Sequence, residues 1–205
     1  FFDIRKDALY CDGADSLRRR AARTVLDILF SHLTAWLAPM MCFTAEEAWL
    51  ARAGDGDEES VHLRTYPDVP EAWRDDVLAE KWDRIRRLRR VVTGALEIER
   101  AEKQIGSSLQ AAPTVYADPE TIAAMEGVDL AELSITSAAT LFEGKFPENA
   151  FTIPEVEGIG VVPGLAEGEK CARCWQVLPD VGAQSHPEIC GRCDSVISAG
   201  KEAAE

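Results

Sequence analysis

Four cysteines near the end of the chain constrain it more than any other feature: Cys171-x2-Cys174, fifteen intervening residues, then Cys190-x2-Cys193. Two thiolates two residues apart aim at one metal from a tight turn, and two such knuckles complete a tetrahedron. Gly191 inside the second pair suits the cramped turn. Soft thiolates select Zn(II) or an iron centre over hard cations, and Lys170, Arg173 and Arg192 sit where positive charge offsets a metal tetrathiolate. His186 is the nearest substitute ligand, but four cysteines already fill the shell. Disulfides are disfavoured, because a chain of this size needs no staples and no basic, apolar leader follows Phe1. Two thioredoxin-like redox pairs at this spacing would be unusual, whereas a rubredoxin-type iron site shares the knuckles. The spacing predicts one structural Zn2+ per chain on Cys171, Cys174, Cys190 and Cys193, with no coordination position left for catalysis. Cys11 and Cys42 stand alone and read as ordinary semi-buried thiols.

Charge sharpens the reading. A formal net charge of −14 argues on its face against a polyanionic partner. Its distribution reverses that for the first half: residues 1–110 carry 17 basic and 20 acidic side chains, residues 111–205 only 5 against 16. Arg18, Arg19, Arg20 and Arg23 lie in a stretch without acids, and Lys81, Arg84, Arg86, Arg87, Arg89 and Arg90 surround Asp83 alone. The longest apolar stretch, Val25 to Phe43, is broken by Asp27, His32 and Pro39, so no membrane span is expected.

Apolar periodicity predicts a helix over 16–38, with Leu17, Ala21, Val25, Ile28 or Leu29, His32 or Leu33, and Trp36 on one stripe and Pro39 as its stop. Thr44 and Glu47 form a capping box for a second helix reaching about Gly54. The acidic run GDGDEES, 54–60, reads as a loop. A long helix is expected over 73–103, where Leu78, Trp82, Ile85, Leu88, Val92, Ala95 or Leu96, and Glu99 follow the 3.6-residue period. Its other face recurs as Arg86, Arg90, Thr93, Glu97 and Arg100, which is either a solvated surface or a phosphate-tracking stripe. Thr114 to Ala117 reads as a strand, Asp118-Pro119-Glu120 as the start of a helix to about Glu132, and Leu133–Thr136 with Ala139–Phe142 as material for a second strand. Residues 147–170 read as short strands and turns. No Gly-rich phosphate loop and no zinc-hydrolase His pair is present.

The runs FFDIRKDALYCD, LAPMMCFTAEEAW, IGSSLQA, GEKCARCW and ICGRC, in this order, closely resemble the C-terminal portion of the bacterial isoleucyl-tRNA synthetases. That family comprises large class I enzymes that join isoleucine to its tRNA with ATP. The resemblance implies a mainly α chain: a helical-bundle anticodon-binding domain over 1–110, a small α/β junction domain over 111–165, and a four-cysteine zinc-binding module over 166–205. It implies a bundle incomplete at its N-terminus, whose first residues lack their usual neighbours. Neither a HIGH-type nor a KMSKS-type motif occurs, so the segment itself is expected to carry no catalytic or editing site.

By the family pattern the zinc ligands fall on Cys171, Cys174, Cys190 and Cys193, and Arg173 and Trp175 stand where the module reaches the anticodon loop. Isoleucine tRNA is the implied partner, met also by Arg84, Arg86, Arg87 and Arg90, alongside the rest of the synthetase chain. A monomeric, cytoplasmic protein is expected. Two other classes remain: a stand-alone, zinc-stabilised protein-interaction module whose acidic half docks a basic partner, and a redox protein using the paired cysteines.

Overall fold

A computed structural model describes residues 1–53 and 60–202. The acidic run at 54–60 therefore lies, apart from Ser60, outside the described residues. The chain forms two compact units, Phe1–Asp12 with Asp75–Glu205, and Gly13–Arg74.

The first unit is organised by a 26-residue helix. Asp75 accepts a hydrogen bond from the Leu78 N–H at 2.8 Å and starts it. Numbered in chain order it is α4, Asp76–Ala101, three residues shorter at its start than the periodicity predicts, because Glu71–Trp73 forms a separate 3-10 turn. Ile85, Leu88, Val91, Val92, Ala95 and Leu96 are buried on one face at helical spacing. Against that face lies a four-stranded sheet of order β2-β1-β4-β3, made of β1 Thr114–Ala117, β2 Thr140–Glu143, β3 Phe151–Ile153 and β4 Val156–Val162. β1 pairs in parallel with β2 and antiparallel with β4, and β3 is antiparallel to β4. Gly94 lets the sheet come close: a Cβ there would stand 2.9 Å from the Phe151 ring.

Between β1 and β2 the single helix expected to Glu132 is two short ones, α5 Pro119–Ala124 and α6 Leu130–Ser134. Gly127 turns the chain at φ 76°, and Asp129 caps the new helix through the Glu132 N–H at 3.0 Å. Residues 133–136 supply no strand. Leu133 and Ser134 end α6, and Ile135 leaves it in the left-handed region at φ 57°.

The opening residues are a formed helix, α1 Phe2–Cys11, not a loose end. Ala8 is fully buried, Ile4 packs against the main core, and Arg5 bonds Glu132 at 2.7 Å. The unit ends in a two-stranded hairpin, β5 Glu169–Lys170 with β6 Val177–Leu178, and in α7 Gly191–Glu202. Ser137 joins hairpin to core, accepting from the Val177 N–H at 2.7 Å while its hydroxyl donates to the Leu109 carbonyl at 2.5 Å.

The second unit consists of α2 Leu17–Leu37 and α3 Cys42–Ala53 with the segment up to Arg74. Ser16 caps α2. α3 is already helical at Cys42, and the Ala45 N–H bonds the Met41 carbonyl, so Thr44 and Glu47 lie inside the helix and not at its cap. Its core is thin: Ala38, Ala45 and Val61, with Trp49 beside them. Phe30 stacks on Trp49, Arg64 lies 4.1 Å from the same ring, and Glu46 holds the Val61 N–H at 2.8 Å. The expected α2 stripe is only partly covered, since small residues Ala22 and Ala35 are buried while Leu17, Val25, Leu33 and Trp36 are exposed. Phe43 is 90% exposed, and Cys42 beside it is an exposed thiol, not a semi-buried one.

The α4 face that meets the sheet is closed to solvent, with Ile85, Leu88, Val91 and Val92 fully buried. Leu88→Ala should lower unfolding free energy by about 2–5 kcal/mol, the usual cost of truncating a fully buried leucine. Denaturant titration followed by far-UV circular dichroism measures it.

Candidate metal centre and nucleic-acid interface

The first knuckle is the six-residue turn joining β5 to β6. Its ends are tied by the Cys171 N–H to the Gln176 carbonyl at 2.8 Å and the Trp175 N–H to the Cys171 carbonyl at 2.9 Å. The second opens α7. Cys190 precedes the helix and its carbonyl accepts from the Asp194 N–H, which places Cys193 in the first turn. Asp180 accepts from the Gly191 N–H at 2.8 Å, and a Cβ at Gly191 would press on that carboxylate at 3.0 Å, so the glycine eases the close approach. The Ala172 N–H bonds the Glu188 carbonyl and joins the two knuckles.

All four predicted sulfurs converge. The Sγ atoms of Cys171, Cys174, Cys190 and Cys193 lie within 4.8 Å of one another, and all four residues are buried. Cys174 and Cys190 Sγ are 3.8 Å apart, close to the about 3.8 Å edge of a tetrahedron with Zn–S bonds of about 2.3 Å. A disulfide would need about 2.05 Å, and all four cysteines are free thiols. The donors therefore fit Zn2+ in number, type and spacing. Burial pushes the Cys171 thiol up, but N–H groups of Cys174, Cys190 and Arg173 outweigh it and bring it down to about 6. Burial raises Cys174, and carries Cys193 up to about 11. Metal binding thus displaces protons. His186 takes no part; its Nδ1 faces Asp194 Oδ1 at 2.7 Å.

Cys11 is not the isolated thiol that its sequence position suggests. It is buried among the metal-site cysteines, and its Sγ reaches the Arg173 carbonyl at 4.0 Å. The flanking arginines explain why. Arg192 forms a two-pronged pair with Asp7 at 2.6 and 2.7 Å and a bond to Asp12 at 3.2 Å. Asp7 first, and then the Cys174 sulfur, hold the guanidinium pKa well above its ordinary value against the opposing effect of burial. Arg173 donates to the carbonyls of Cys11 at 2.7 Å and Tyr10 at 3.1 Å, and to Cys193 Sγ at 3.5 Å. Cations at the carbonyl end of α1 are favourably placed. Of the three basic residues expected to offset thiolate charge, Arg173 touches a ligand sulfur directly, Arg192 chiefly neutralises Asp7, and Lys170 lies 5.6 Å from the Trp175 ring.

Trp175 follows the last ligand of the first knuckle at φ 67°, a left-handed conformation rare for a bulky residue, and is 62% exposed. The α4 arginines separate by face. Arg84 pairs with Glu120 at 2.6 Å, and with Arg87 it lines a cleft shared with Asp118, Glu155 and Glu157. Arg89 caps the Leu133 carbonyl at 2.8 Å. Arg86, ion-paired with Asp83, and Arg90 are exposed one turn apart. No helix among the described residues is long and apolar enough to cross a membrane.

Residues 1–116 match the family described as the anticodon-binding domain of tRNA ligase, and residues 168–196 match a zinc finger found in FPG and IleRS. Curated relatives include the isoleucine–tRNA ligases of Ruegeria pomeroyi, 55% identical over 96% of this chain, and of Brucella abortus, 54% identical over 94%. That of Agrobacterium fabrum is 52% identical over 94%. The chain spans about a fifth of the length of each.

The Arg192–Asp7 pair joins residues 185 positions apart. Arg192→Ala should reduce the unfolding free energy of this unit by about 1.5–3 kcal/mol, the range for hydrogen bonds to charged groups. Hydrogen exchange should show the loss concentrated in α1, with metal retained.

Proposed function

The chain belongs to the anticodon-binding-domain family of tRNA ligases, and we propose that it is the anticodon-reading region of an isoleucine–tRNA ligase. Its work is binding; the chemistry of isoleucine activation and transfer belongs to the rest of the parent enzyme, as the chain matches only about a fifth of the relatives' length. In functional terms residues 1–110 form the anticodon-binding part, 111–165 a junction, and 166–205 the zinc module. The partner is isoleucine tRNA, bound by a monomer in the cytoplasm.

The observation that carries this reading is Trp175. A left-handed tryptophan costs backbone strain, which persists only where the surroundings impose it. Here the tie from its N–H to the Cys171 carbonyl imposes it and leaves the indole open to solvent beside Lys170. An exposed aromatic face next to a cation is suited to stack an unpaired base near its phosphate. Arg86, Arg87 and Arg90 are exposed on α4 and supply positive charge for the RNA backbone, Arg86 sharing its charge with Asp83 and Arg84 beside them with Glu120. Arg173 serves the same surface from behind, by fixing the turn that carries Trp175.

Titration with isoleucine tRNA over a series of salt concentrations tests the assignment. Replacing Arg86 and Arg90 together by Ala should weaken binding and flatten the slope of log K against log salt by roughly one unit for each phosphate no longer neutralised. An unchanged slope would overturn the role of the stripe. Trp175→Ala, with its zinc retained, should reduce discrimination between isoleucine tRNA and an anticodon-altered tRNA; an unaltered ratio would make the side chain structural.

A further inference from the structure

The opening run FFDIRKDALYCD holds no metal ligand and lies far in sequence from Trp175, yet α1 ends against the first knuckle. Its side chains are nearly all accounted for. Ile4 and Ala8 enter the core, Arg5 bonds Glu132, Lys6 pairs with Asp3, Asp7 and Asp12 hold Arg192, and Cys11 is buried. Phe1 and Phe2 stay half-exposed against one another at the start of the helix, and Tyr10 is the exposed aromatic at its end, beside the knuckle. Between inward-committed neighbours Tyr10 is 75% exposed, more than Trp175.

The backbone of Tyr10 is nonetheless fixed. Its carbonyl and that of Cys11 accept from the Arg173 guanidinium, Cys11 Sγ approaches the Arg173 carbonyl, and the same guanidinium reaches Cys193 Sγ. Arg173 stands two residues before Trp175. One arginine therefore ties together the ends of two elements, each carrying an exposed aromatic ring. A rigid, exposed aromatic anchored at its backbone loses little entropy when a flat ligand stacks on it.

We propose that Tyr10 is a second base-stacking side chain of the Trp175 site, positioned by Arg173, so that the site takes two unpaired bases of an RNA loop. This rests on the anticodon-binding reading above. The Tyr10 hydroxyl adds a donor and acceptor beyond the ring, but stacking on the ring supplies the affinity. Arg173 acts through the other two residues: it sets the distance between the rings without touching the RNA.

The test is titration of the zinc-loaded chain with isoleucine tRNA, comparing wild type with Tyr10→Ala, Tyr10→Leu, Tyr10→Phe and Trp175→Ala. Zinc content and amide exchange of α1 are measured on each variant to confirm an intact fold. Tyr10→Ala and Tyr10→Leu should each weaken binding by about fivefold to a hundredfold, and Tyr10→Phe should stay within about twofold of wild type. Wild-type binding by the Leu variant, alongside weakened binding by Trp175→Ala, would overturn the Tyr10 assignment alone. Wild-type binding by Trp175→Ala would bring down the underlying reading instead. For Arg173 the readout is coupling. In an Arg173→Ala background the Tyr10→Ala loss should largely disappear, whereas additive losses would show that Arg173 does not position Tyr10.

Discussion

Convergence of four buried sulfurs on one point is the constraint on which the C-terminal structure depends. Around them the zinc module has little apolar material: Ile189 is buried, and Leu178, Val181 and Ile197 are partly so. Two-residue strands and a single helix cannot hold themselves together on that basis. A metal tetrathiolate supplies the missing cohesion, and binding and folding are then one event. The surrounding geometry follows from it. The Asp180 carboxylate on the Gly191 N–H, the Ala172–Glu188 link and the left-handed Trp175 all bring the ligands inward or result from doing so.

Electrostatics extends the module beyond its own residues. Arg173 and Arg192 are interleaved with the ligands, and both reach α1, where carbonyls and two aspartates receive them. The opening helix of the chain is thereby fastened to its C-terminal module. The α4 helix shows the same division of labour. Arg84 and Arg89 are spent on Glu120 and the Leu133 carbonyl, holding α4 to α5 and α6, while Arg86, paired within the helix to Asp83, and Arg90 are exposed. A count of basic residues overstates the charge available to RNA, and the faces on which they lie restore the argument.

Much of this was legible in sequence because the signals were local. The cysteine spacing picks out the four sulfurs that converge, and Asp118-Pro119 marks the start of α5. The 3.6-residue period found the buried face of α4, and Thr114 to Ala117 is β1 residue for residue. What escaped was set by distant partners or by backbone geometry. Gly127 and Asp129 divide a continuous helical pattern, and no periodicity weighs a left-handed turn against it. Thr44 and Glu47 have the chemistry of a capping box, yet α3 begins two residues earlier. Cys11, Asp7 and Tyr10 gain their roles from Arg173 and Arg192, far along the chain, which local spacing does not encode.

Metal content measured together with amide exchange tests the central claim, that one zinc organises both knuckles and through them α1. Chain purified without added metal should contain about one zinc per molecule, and a chelator should expose the amides of 169–202 and of the last turn of α1 together. Iron in place of zinc, or a metal-free chain whose knuckles and α1 stay as protected as before, would contradict it.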